Sequence, residues 1–127
     1  MKTKSRTLTE QELEIMKVVW EKKAATVREV YEALRERKAV AYTTVSTMMN
    51  ILETKGHLVK QPEGRAYVYE PSQAQTQVIS GMVQDFVDRV FDGAAQGLLL
   101  NLIKERKLSK SDLEEISRLI EETPDEP

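Results

Sequence analysis

Residues 41–56 read AYTTVSTMMNILETKG. Val45, Met48, Met49 and Leu52 recur at the three- and four-residue spacing of a helix and mark one face for a core. Gly56 follows Lys55 where a left-handed residue ends a helix. The other side carries Thr43, Ser46, Thr47 and Asn50, short hydrogen-bonding groups where surface helices usually carry Glu and Lys. Thr and Asn are weaker helix formers by about half a kcal/mol per residue, so exposure alone gives no reason for them. A major groove does: it displays donors, acceptors and thymine methyls, and uncharged short side chains let a helix sit deep among them. The same groups serve phosphate oxygens near a helix N-terminus. An ordinary solvent face rich in Thr is the plain structural alternative.

The flanking sequence favours the groove. Upstream, Thr9 with Glu12 forms a capping box, Leu8 staples against Leu13, and Leu13, Met16, Val19 and Trp20 make an apolar stripe. Thr26 and Glu29 repeat the device for a second helix with Val27, Val30, Tyr31 and Leu34 facing inward. Downstream, His57–Gln61 and Arg65–Glu70 read as strands joined through Pro62-Glu63-Gly64. Three helices and then a hairpin is the order of a winged helix-turn-helix. The hairpin offers Lys60 and Arg65 as cations for a backbone or a minor groove; Lys2, Lys4 and Arg6 precede the first helix, and Arg28 opens the second. Each cation alone is ordinary surface, and only their grouping argues for a polyanion.

Pro71 closes this unit, giving a winged-helix domain over 1–71 and a helical dimerisation domain over 72–127. Ser72 with Gln75 is expected to cap a helix with Ile79, Met82, Val83, Phe86, Val87, Val90 and Phe91 on one side. Asp92-Gly93 breaks it, a helix over about 94–106 contributes Leu99 and Leu102, and Ser109 with Asp112 caps a last helix carrying Leu113, Ile116, Leu119 and Ile120. So small a segment with such long apolar stripes buries them best against a second copy, and a homodimer is expected. Folding the stripes back onto the first domain is the intramolecular alternative. The whole is a mainly α chain with a small β-hairpin wing.

Composition agrees without deciding. Of 127 residues, 40% are hydrophobic and 31% charged, ordinary for a folded domain. The net charge of −2 divides into +3 over residues 1–71 and −5 over 72–127, so a polyanion would meet the first part. The absence of cysteine removes disulfides, thiolate metal sites and cysteine nucleophiles, and fits a reducing compartment. With a polar, basic N-terminus and no long apolar run, the expected location is the cytoplasm, with no membrane contact. No nucleophile–base pair, phosphate-cradling glycine loop or metal-ligand spacing is present, which argues against an enzyme, a cofactor or a metal site. A winged-helix module that docks on protein instead of DNA is the rival reading.

LTEQELEIMKVVWE, the helix after Thr26, AYTTVSTMMNILETKGHL and EGRAYVYEP together resemble the penicillinase repressor family, the BlaI/MecI/CopY type, from Leu8 to Ile120. The resemblance implies a cytoplasmic repressor, a homodimer on palindromic double-stranded operators that controls genes for β-lactam resistance or related stresses. Its recognition-helix positions match Tyr42, Thr43, Thr44, Ser46, Thr47 and Asn50, and its wing position matches Arg65. In the β-lactam branch a membrane sensor protease triggers cleavage at an Asn–Phe bond; the matching pair here is Asn101 and Leu102, so the Phe is missing. The copper branch binds metal through a cysteine-rich tail, which this chain lacks.

Overall fold

The computed structural model describes residues 8–123. The order is α1 (Glu10–Lys22), α2 (Val27–Arg35), α3 (Tyr42–Thr54), β1 (Leu58–Glu63), β2 (Ala66–Pro71), α4 (Gln75–Phe91), α5 (Ala95–Lys104) and α6 (Lys110–Glu122). Two compact units result, one running to Asp85 and the other beginning at Phe86.

In the first unit, local chemistry starts two of the three helices. Thr9 Oγ1 accepts from the Glu12 N–H while Glu12 returns a carboxylate oxygen to the Thr9 N–H at 3.0 Å. Thr26 and Glu29 form the same box. Each such cap is worth about 1 kcal/mol. α3 ends as its glycine requires: Gly56 has φ +90°, its N–H bonds the Glu53 carbonyl, and the His57 N–H reaches back to Leu52. That pair of bonds is a Schellman motif, and His57 is buried beneath it.

The core is contiguous. Met16, Val19, Val30, Val45, Met49 and Leu52 are its most enclosed side chains. Each such side chain contributes about 1.5–3 kcal/mol by leaving water. α1 is the central helix, burying Ile15 and Val18 in addition to the expected stripe. Leu58 and Tyr69 close the core from the hairpin, and Val78 with Met82 joins it from the first turns of α4. Ala25 exchanges both backbone bonds with Tyr69, at 2.8 and 3.0 Å, so the α1–α2 link covers the outer edge of β2.

A buried ion pair spans this core. Glu12 is 3% exposed and accepts from Lys55 Nζ at 2.8 Å. Burial pushes its carboxyl pKa up, but the Lys55 hydrogen bond, the Thr9 N–H and the Lys55 charge together outweigh it and hold the group below its ordinary value.

Two local expectations need correction. The hairpin turn is not Pro62-Glu63-Gly64: β1 continues through Pro62 and Glu63, Glu63 pairs with Ala66, and the two-residue loop is Gly64-Arg65. A proline is tolerated because β1 is an edge strand. Gly64 at φ +63° with no positive φ at Arg65 is the type II′ arrangement that continues strand twist. Arg65 therefore belongs to the turn and not to the second strand. Nor does Ser72 cap α4. Its hydroxyl donates to the Gly56 carbonyl at 2.5 Å, and the helix starts later, with the Ala74 carbonyl accepting from Val78.

In the second unit, Asp92 and Gly93 both take positive φ and end α4 as the sequence predicts. Phe86 and Phe91 meet edge to face at 5.9 Å. A side chain at Gly97 would put its Cβ 2.8 Å from the Phe91 ring, so glycine is what lets α5 approach so closely. Ser109 and Asp112 form the expected capping box on α6. No residue of α5 or α6 is fully buried.

Candidate nucleic-acid interface

The outward face of α3 is set by the burial of its other side. With Val45, Met49 and Leu52 in the core, Thr43, Thr47, Asn50 and Thr54 follow one another along the exposed side. Thr54 was not among the residues expected there, although its spacing from Asn50 places it on the row. Ile51, 41% exposed, was also missed because an apolar residue in a helix is first read as core; its four-residue step from Thr47 was the available signal. Ser46 is half-buried. Thr44 is exposed and lines a cleft with Leu34, Val40 and Met48, to one side of the row. Tyr42 packs edge to face on Tyr31 at 5.5 Å, and Arg35 lies over the Tyr31 ring. The α3 start differs from those of α1 and α2: Ala41 gives no side-chain cap, so no side chain of that residue competes for the first N–H groups.

The hairpin meets this row at Asn50. Tyr69 Oη donates to Asn50 Oδ1 at 3.1 Å, and Lys60 Nζ lies 3.5 Å from the same oxygen. The pairing of Lys60 with Tyr69 and of Pro62 with Tyr67 puts these side chains on one hairpin face. The Lys60 ammonium accordingly sits 4.7 Å from the Tyr67 ring centroid and 6.0 Å from that of Tyr69. Burial raises the Tyr69 phenol pKa, with Glu53 the next contributor, so its hydroxyl is kept protonated and donating. Lys60 is thus half-buried at the junction of hairpin and helix, while Arg65 is exposed at the hairpin tip.

Arg28 is exposed, but its Nε pairs with Glu32 at 3.1 Å, and Arg35 reaches the other Glu32 oxygen at 3.6 Å. Lys2, Lys4 and Arg6 lie outside the described residues. Among the described residues no group of His, Cys, Asp or Glu could hold a metal ion, and no helix is long and apolar enough to cross a membrane.

The expected dimer residues separate into two sets. Met82 packs on the first unit's core, and Ile79 is half-buried. Val83, Phe86, Val90, Leu119 and Ile120 are between 42% and 69% exposed, whereas Phe91, Leu99, Leu102 and Ile116 are half-buried. Asn101 is exposed within α5, and its carbonyl accepts from Glu105, so the 101–102 peptide bond lies inside a hydrogen-bonded helix.

Comparison with known proteins places these features in a family. The penicillinase repressor family model matches residues 8–122. The penicillinase repressor of Bacillus licheniformis is 30% identical over 91% of this chain and 90% of its own length. The methicillin resistance regulatory protein MecI of Staphylococcus aureus is 22% identical over 94% and 98%. Among solved structures, monomeric Bacillus licheniformis BlaI in complex with the blaP half-operator is similar at a TM-score of 0.50. It is 33% identical over 60% of this chain and 92% of that one. A match across almost the whole chain, together with the shared fold of the first unit, settles the assignment: this chain belongs to the penicillinase repressor family.

Proposed function

We propose that the protein is a homodimeric transcriptional repressor whose α3 enters the major groove of a palindromic operator. The observation that carries this is the exposed polar row Thr43, Thr47, Asn50 and Thr54, flanked by a hairpin, in a chain with a relative solved on its half-operator. Thr methyls and Ile51 suit thymine methyls; the hydroxyls and Asn50 suit base edges and phosphate. Tyr42, Thr43 and Thr44 stand at the α3 N-terminus, where free N–H groups favour a phosphate. Arg65, at the tip of the hairpin, is the wing's backbone contact. Arg28 and Ser46 are assigned auxiliary contacts, and Arg6 belongs to the same set by sequence alone. Lys60 contributes charge from within the tyrosine pair.

Two such heads on one duplex make the second contact effectively intramolecular, so modest heads give tight operator binding. The exposed Val83, Phe86, Val90, Leu119 and Ile120 supply an apolar seam for the second protomer. Repression ends when that seam is lost. By analogy with the family, the regulated genes are of the β-lactam-resistance or related stress class, and the protein acts in the cytoplasm. Cleavage beside Asn101 through a sensor protease would require α5 to open first, and Leu102 replaces the aromatic residue of that route.

The test is a fluorescence anisotropy titration on duplex DNA across a salt series. Arg65→Ala should weaken binding to every sequence about fivefold and lower the salt slope by about one. Thr47→Ala should instead relax base preference with the salt slope unchanged. A wild-type protein that binds no duplex even at low salt would favour the protein-docking module instead.

A further inference from the structure

We infer that Asn50 reads a keto base, guanine or thymine, because Tyr69 and Lys60 occupy its amide oxygen and leave it only hydrogens to offer. This rests on the DNA-binding reading and assigns a specificity to one position within it.

An asparagine amide has a carbonyl oxygen with two lone pairs and an NH2 with two hydrogens. The familiar asparagine–adenine pairing uses both ends: the oxygen accepts from adenine N6 while the NH2 donates to N7. Here the oxygen already receives the Tyr69 hydroxyl at 3.1 Å and faces Lys60 Nζ at 3.5 Å. Lysine has three donors and no acceptor, so the group facing it must be the oxygen, which fixes which way the amide points. The ammonium is itself held in place between the Tyr67 and Tyr69 rings, at 4.7 and 6.0 Å.

What remains for a ligand is a pair of N–H donors on an exposed residue of the outward row. In the major groove guanine offers two acceptors, O6 and N7, and thymine offers O4, whereas adenine sets its N6 donor beside a single N7 acceptor, so the second amide hydrogen meets a donor there, and cytosine N4 is a donor. Two donors facing each other cannot bond, and each is then desolvated without a partner. The hairpin therefore has a second role. By filling the oxygen's lone pairs it converts an amide that could accept or donate into one that only donates.

The experiment selects preferred duplexes from a random pool for four proteins: wild type, Asn50→Ala, Tyr69→Phe and the double variant Tyr69→Phe/Lys60→Met. Asn50→Ala identifies the base position that Asn50 reads, as the one whose preference flattens. Wild type should hold guanine or thymine there, and the double variant should shift the ratio toward adenine about tenfold. A second arm needs no variant. At that position of the wild-type site, guanine is replaced by 2,6-diaminopurine, or thymine by 5-methylcytosine, with the complementary base adjusted. Either change replaces the keto oxygen with an amino group and should cost about tenfold in affinity. Adenine or cytosine preferred by wild type, an unchanged preference in a folded double variant, or no loss with the amino analogue would each overturn the inference while leaving DNA binding intact. A wild-type protein that enriches nothing and binds no duplex would instead remove the reading on which it rests.

Discussion

The two units of this chain treat their apolar residues in opposite ways. In the first, side chains from three helices, a hairpin and the start of α4 converge, and Met49, Leu52, Val19 and Val30 have essentially no exposure. In the second, α5 and α6 bury nothing fully, and Ile120 and Leu119 are 69% and 54% exposed. The first unit carries its own core; the second presents apolar surface suited to a second copy. The contrast teaches where a change should act: on folding in one unit, on association in the other.

The sharpest way to break that contrast is a core truncation. Met49→Ala removes a fully enclosed side chain under α3 and should cost about 2–5 kcal/mol in urea unfolding, at any protein concentration. A cost that grew on dilution would mean that the first unit depends on association as well.

Next in size is the ion pair between Glu12 and Lys55. Lys55→Ala leaves a buried carboxylate without its cation and should destabilise by about 1–3 kcal/mol, less than a fully buried pair because the ammonium is partly exposed. The pH dependence has a definite sign. Since the folded-state carboxyl titrates below its ordinary value, its contribution is complete above the unfolded-state pKa and is lost as pH falls through the folded one. Urea midpoints measured between neutral pH and pH 3 should therefore decline on acidification in the wild type, and less steeply in Lys55→Ala.

For the second unit, Val90→Glu places a charge on a half-exposed apolar position of α4. Sedimentation should show the dimer dissociation constant rising about tenfold, roughly 1.4 kcal/mol, with little change in the unfolding of the first unit. Smallest is Gly64→Ala, which forces a side chain into φ +63° at the hairpin tip. It should cost about 1 kcal/mol by calorimetry and weaken DNA binding by displacing Arg65.

What the sequence disclosed follows the range of the interactions. The Thr9–Glu12, Thr26–Glu29 and Ser109–Asp112 boxes close within three residues and were legible, as was the Gly56 ending of α3. Ser72 has the same local pattern, yet a carbonyl sixteen residues earlier in the chain takes its hydroxyl. The turn was misplaced because Pro62 looks like a breaker until the strand is known to be an edge. Of the site, the polar row was visible as a helical stripe. The link from Lys60 and Tyr69 to Asn50 depends on how a hairpin lands on a helix, and no periodicity encodes that. Glu12 finding Lys55 across 43 residues is of the same kind.

The most direct test of the central claim is a residue-by-residue map of amide chemical shifts as duplex DNA is added to labelled protein. Expected are changes concentrated at Thr43, Thr47, Asn50 and Arg65, with α5 and α6 unmoved. Changes confined to α5 and α6, or none at low salt, would contradict it.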